Sequence, residues 1–292
     1  MNPRFLALAP TLAPLAACLV PLPGEQTSPE LLAATDYRID RTRVVALRFD
    51  PPVLQDNETV NIEGLILSPT AFDQVQVRGC GLREDVPSIL DSPTCFDVPE
   101  LVWDIGEGVN VQWDTPHFDA AFWEQCPGAV STFGDDLCSS TFAVGITAQG
   151  EDQIARGATL TRIFIGQEGT RPSPAHLQDL ALAAPQTALP GEVIDLGLRF
   201  TPNADFLDHI TASDPVRWFV DDGELLRTGR TGAHFTADGQ ILSANHLRIP
   251  DDYEGDLRVV AILPIRALVS LDGGFQEYQD LAWRISTIAV SP

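Results

Sequence analysis

From Arg43 onward the chain alternates apolar and polar residues in short runs. Val44-Val45-Ala46-Leu47-Arg48-Phe49 is stopped by Asp50-Pro51-Pro52. A polar turn at Asp56-Asn57 then leads into Thr59-Val60-Asn61-Ile62-Glu63-Gly64-Leu65-Ile66-Leu67, whose first half has a strict period of two. That period places one face on a core and the other in water, as in a half-buried strand. Similar runs recur with turn residues every ten positions or so, and helical periodicity is almost absent. The pattern predicts an all-β chain of short antiparallel strands packed as sandwiches.

The opening pattern returns in the second half. Pro51 falls on Pro185, Asp56-Asn57 on Pro190-Gly191, Glu58 on Glu192, and Val60-Asn61-Ile62 on Ile194-Asp195-Leu196. Trp103-Asp104-Ile105 matches Trp218-Phe219-Val220, Phe142–Ile146 matches Arg258–Ile262, and Leu160–Ile163 matches Ala282–Ile285. A repeat of this length predicts two copies of one domain, since solenoid units are far shorter. A mid-domain tryptophan is the central plug of an immunoglobulin-like core, the place expected for Trp103 and Trp218. Pro250–Leu257, ahead of a strand at Arg258–Leu263, looks like the tyrosine corner of such folds. With its Pro-led turn followed by Glu-x-Val-x-Ile or Glu-x-Ile-x-Leu, the chain resembles the Ig-like domains repeated in bacterial surface lipoproteins. The expected organisation is sandwich 1 at 37–166, a linker at 167–178 and sandwich 2 at 179–292.

The N-terminus carries a second resemblance. Arg4 precedes an uncharged, mostly apolar segment from Phe5 to Ala17, the plan of an export signal too short to span a bilayer. Leu15-Ala16-Ala17-Cys18 resembles the lipobox of bacterial lipoproteins. The resemblance implies cleavage by signal peptidase II between Ala17 and Cys18, lipidation of Cys18, and residues 18–36 as a tether rich in Pro, Ser, Thr and Gly. Each buried acyl methylene contributes about 0.8 kcal/mol, so two or three chains give lasting anchorage. Leu19 is not the aspartate of inner-membrane retention in that family, which points to the outer membrane. Secretion with a cut elsewhere is the rival reading.

The net charge of −23 changes the list of partners. All 18 basic residues are arginine, and loss of residues 1–17 removes Arg4 without an acid. Such a surface repels nucleic acid and anionic lipid headgroups. Apart from Cys18 the cysteines are Cys80, Cys95, Cys126 and Cys138, an even set that reads as disulfides in an exported chain. Three connectivities are open. The sequence-local pairs Cys80–Cys95 and Cys126–Cys138 would each contribute about 3 kcal/mol in the chain-entropy model. No Cys-x-x-Cys clamp supports zinc.

Candidate chemistry is sparse. The sequence has no Gly-x-Ser-x-Gly, no His-Glu-x-x-His and no phosphate loop, and His117, His176, His209, His234 and His246 are scattered. Asp135-Asp136, Asp221-Asp222 and Asp251-Asp252 read as turn residues, with calcium binding as a secondary expectation and no metal or other cofactor required. The first half carries two inserts, 78–100 and 112–138, and Phe118, Phe122 and Trp123 in the second form a candidate patch for stacking sugar or docking protein. The expected function is a non-catalytic, lipid-anchored envelope protein that captures a protein or glycan or takes part in adhesion or assembly. The alternative is an exported hydrolase using carboxylates in the loops of the first half.

Overall fold

The structure, a computed structural model, describes residues 37–81, 96, 99–116, 139–150, 153–164, 179–201, 210–211, 216–227, 229–271 and 274–292. Cys18 and the lipobox, Cys95, Cys126, Cys138, the Phe118/Phe122/Trp123 patch, the tether and the interdomain linker lie outside them.

The described chain is all strand apart from a 3-10 turn at Pro99–Leu101. In the first half the strands are β1 (Arg43–Asp50), β2 (Leu54–Gln55), β3 (Thr59–Leu67), β4 (Gln74–Gly81), β5 (Val102–Glu107), β6 (Asn110–Asp114), β7 (Ser139–Gln149) and β8 (Ile154–Phe164). They form a three-stranded sheet, β1-β3-β6, over a five-stranded sheet, β2-β8-β7-β4-β5. All pairings are antiparallel except that of β2 with β8.

The second half adds β9 (Asp179–Ala183), β10 (Thr187–Ala188), β11 (Val193–Thr201), β12 (Ile210–Thr211), β13 (Val216–Val220), β14 (Glu224–Leu225), β15 (Arg230–Thr231), β16 (His234–Phe235), β17 (Ile241–Arg248), β18 (Gly255–Leu271) and β19 (Gly274–Val290). Its sheets run β14-β17-β11-β9 and β10-β19-β18-β13-β15. Again the short second strand, β10, crosses to the other sheet and runs parallel to the last. Both halves are immunoglobulin-like sandwiches, with β1/β9, β3/β11, β6/β17, β4/β13, β7/β18 and β8/β19 as equivalent strands.

Alternation explains the layers. β3 and β11 both bury every second residue through their first half, and Val60, Ile62, Ile194 and Leu196 all point into the cores. The second core is plugged by Trp218, 1% exposed, whose indole N–H donates to the Thr231 hydroxyl at 2.8 Å. This bond satisfies the indole donor inside an apolar core.

Three expectations need correction. Trp103 lies on β5, one strand beyond the equivalent of β13, and is a half-buried residue at the sandwich edge, not a central plug. Two repeat registers are off by one. Val144 and Ile146 face the first core, whereas their matched residues Val260 and Ile262 face the junction between halves, and buried Ile163 matches exposed Ile285. A one-residue slip along a strand exchanges its two faces. The Tyr253 hydroxyl does bond the backbone, but downstream, donating to the Asp256 carbonyl at 2.9 Å.

The halves share a packed junction. Ile39, Ala46, Leu65 and Leu67 meet Val260, Ile262 and Trp283 in one buried cluster. The segment before β1 docks on the second half: the Val220 amide donates to the Tyr37 carbonyl at 3.0 Å, and the Ile39 amide to the Val220 carbonyl at 2.8 Å. Tyr37 joins the second core and touches the face of Gly229, where a Cβ would lie 2.7 Å from its own.

A candidate binding cleft on the first sandwich

Among the described residues, β5 and β6 lie at one edge of the first sandwich and diverge after the turn at Gly108, whose φ is 110°. Between them lies a cleft of about 530 Å³, lined by Trp103, Asp104, Ile105, Gln112, Trp113, Asp114, Pro116 and Phe142. β6 supplies Val111 and Trp113 to the core and leaves Asn110, Gln112 and Asp114 exposed. Trp103 is held flat against β4 because position 79 is glycine. A Cβ there would sit 2.4 Å from the indole Cε2. Trp103 also meets Phe142 edge to face, with centroids 5.9 Å apart. The cleft therefore has a fixed aromatic wall and a polar rim.

Both rim carboxylates are engaged. Asp104 accepts from Gln76 Nε2 at 3.0 Å and from Arg78 Nε at 3.2 Å, with its side chain 72% exposed. Asp114 accepts from the Thr59 hydroxyl at 2.7 Å across β3. The arrangement is suited to hydrogen bonding and stacking of a bound molecule.

The acidic dipeptides serve other ends. Asp221 accepts from the Arg258 amide, Nε and Nη2, and the same Nη2 donates to the Ser68 carbonyl of the first half at 2.8 Å. Asp222 accepts from the Gly223 amide at 2.7 Å and lies 3.6 Å from Arg38. Asp251 and Asp252 form an exposed turn, and Asp135-Asp136 lies outside the described residues. Among the described residues no three His, Cys, Asp or Glu side chains gather to hold a metal ion. His246 pairs with Asp195 at 2.7 Å on an exposed sheet face.

Cys80 is fully buried beside Ala143 and is disulfide-bonded. Phe96, Leu101 and Val102 cover this pair. The cleft itself escaped the sequence reading, which placed Trp103 in the core. Its available signal was the run Asn110-Val111-Gln112-Trp113-Asp114, an alternating strand that carries a tryptophan into the first residues of the 112–138 insert.

No protein-family model matches the chain, and no match arises among curated proteins. Solved structures give distant likenesses. Alpha-2-macroglobulin of Escherichia coli activated by porcine elastase is 17% identical over 86% of this chain and 22% of its own, with a TM-score of 0.27. A Salmonella alpha-2-macroglobulin mutant is 16% identical over 87% of this chain and 16% of its own, at 0.28. The collagen adhesin of S. aureus is 10% identical over 88% of this chain and 97% of its own, at 0.15. The chain thus spans less than a quarter of either macroglobulin. At these scores the likenesses place no residue and assign no activity.

Proposed function

We propose that this chain is an exported envelope protein of binding type, anchored through lipid on Cys18 and presenting the cleft of its first sandwich to a ligand. The observation that carries the binding reading is the cleft itself: Trp103, Trp113 and Phe142 form an aromatic wall beside the Gln112 amide and two ion-paired or hydrogen-bonded carboxylates. The packed junction supports it by holding that wall on a scaffold of two filled cores. Lipid anchorage rests on Leu15-Ala16-Ala17-Cys18 and the apolar segment before it, and an outer-membrane location rests on Leu19.

The test is the intact mass and membrane partition of the chain expressed through its export pathway, beside Cys18→Ser. The expected result is acylated mass and membrane association for the wild-type chain only. Two soluble, unacylated proteins cut at another site would overturn the anchor and leave a secreted binding protein.

A further inference from the structure

We infer that the outer edge of β6 is a strand-addition site for an extended basic peptide of another protein, with its flanking side chains received by the Trp103–Trp113 cleft. This deepens the binding reading and rests on it.

The backbone register identifies the edge of β6 that faces away from β3. The Gly64 amide donates to the Val109 carbonyl at 2.7 Å and the Thr115 amide to the Glu58 carbonyl at 2.8 Å. Val60 lies opposite Trp113 and Ile62 opposite Val111. In an antiparallel pair the hydrogen-bonding residues alternate, so odd-numbered residues of β6 face β3. The amides and carbonyls of Asn110, Gln112 and Asp114 therefore point away from the sheet, where β6 has no further strand among the described residues. The molecule contains its own comparison. On the equivalent strand of the second sandwich, β17, the same edge is covered by β14, through Glu224–Arg248 and Leu225–Leu247, and by β16, through His234–Leu242 and Phe235–Ile241. What seals this edge in one half is a short antiparallel segment, and among the described residues of the first half no strand takes that place beside the aromatic cleft.

An uncovered edge binds a strand through main-chain hydrogen bonds and takes alternate side chains into adjacent pockets. Charge selects the occupant. Asp104 and Asp114 flank the site, and a net charge of −23 opposes pairing with a second copy of this chain.

The experiment follows amide hydrogen exchange of the full exported chain with a synthetic peptide alternating arginine and valine. An N-methylated version carries the same charge without donors on its pairing edge. A cello-oligosaccharide serves as the competing ligand class. The peptide is expected to slow exchange at Asn110, Gln112 and Asp114. Gln112→Pro, which removes an outward donor on an edge strand that tolerates proline, should weaken it by about tenfold or more. Equal binding of the N-methylated peptide, protection by the sugar alone, or no protection would each overturn the inference. The N-methylated comparison stands even where Gln112→Pro fails to fold. None of these outcomes bears on Cys18, so the anchor and the edge site fail separately.

Discussion

The Arg48 guanidinium lies 3.6 Å from the centroid of the Trp283 ring, a cation held on an indole across the junction of the two sandwiches. Its Nε donates to Glu63 Oε2 at 3.0 Å, its side chain is 9% exposed, and its buried Nη1 has no hydrogen-bond acceptor among the described residues. The indole face stands in for part of the lost hydration. Trp283→Ala removes that face and the largest apolar side chain of the junction, and is expected to cost about 3–5 kcal/mol. Arg48→Met keeps the apolar stem but leaves the Glu63 carboxylate without its cation; because that carboxylate is 37% exposed and can be hydrated, the change should cost less than Trp283→Ala. Urea unfolding of both variants checks the order; a costlier Arg48→Met would refute the account.

Gly79→Ala places a methyl against the Trp103 ring. The indole must then leave β4 and swing into the cleft. The expected cost is about 1–3 kcal/mol, as for other overpacked sites, with a red-shifted tryptophan emission as the indole meets water. Ring position can be read directly from fluorescence, so unchanged emission would show that β4 yields instead.

Tyr253 links stability to alkaline pH. Burial first, then the carboxylates of Asp221, Asp222 and Asp256, push its hydroxyl above the ordinary value of 10.0, against an opposing pull from Arg258. The folded chain then holds this proton where the unfolded chain releases it. This contribution is fully present below the unfolded value and is lost as pH rises through the folded one. Tyr253→Phe should flatten that part of the stability–pH curve and lose the bond to the Asp256 carbonyl. Urea midpoints across the alkaline range measure it, and an unchanged slope would exclude Tyr253 as the source.

The Cys80 disulfide makes a further prediction. Phe96 packs over the cluster of Cys80 and Ala143, and a Cβ at neighbouring Gly145 would lie 2.8 Å from the Phe96 ring. The residue before Phe96 is Cys95. Peptide mapping without reduction is expected to find Cys80 linked to Cys95, and Cys95→Ser should lower stability by about 3 kcal/mol. A Cys80–Cys126 or Cys80–Cys138 link would contradict this pairing.

Alternation made the sandwiches legible, because Val60 and Ile62, like Ile194 and Leu196, record in sequence which face is wet. The long hairpin of β18 and β19 was less visible. Pro264 interrupts β18 and shortens the strand that the sequence predicts, yet it falls between the residues paired to β13, Val259–Ile262, and those paired to β12, Arg266 and Ala267. Among the described residues, no strand partner on that side takes its missing amide. The cleft was hidden for a different reason. Whether a tryptophan plugs a core or walls an edge depends on which strand lies beyond it, and for Trp103 the deciding residue is Gly79 on the neighbouring strand. Sequence spacing holds no record of that pairing.

The docking of Tyr37 and Ile39 onto Val220 also sets a mechanical path. The chain touches the second sandwich before it enters the first. Tension applied through the residues preceding Tyr37 enters at the joint between the sandwiches and reaches the second one without passing through the strands of the first. A pull on a partner held at β6 travels through β3 to β1 and the same joint, so the second sandwich bears none of that load in series. It acts as a brace on the loaded joint.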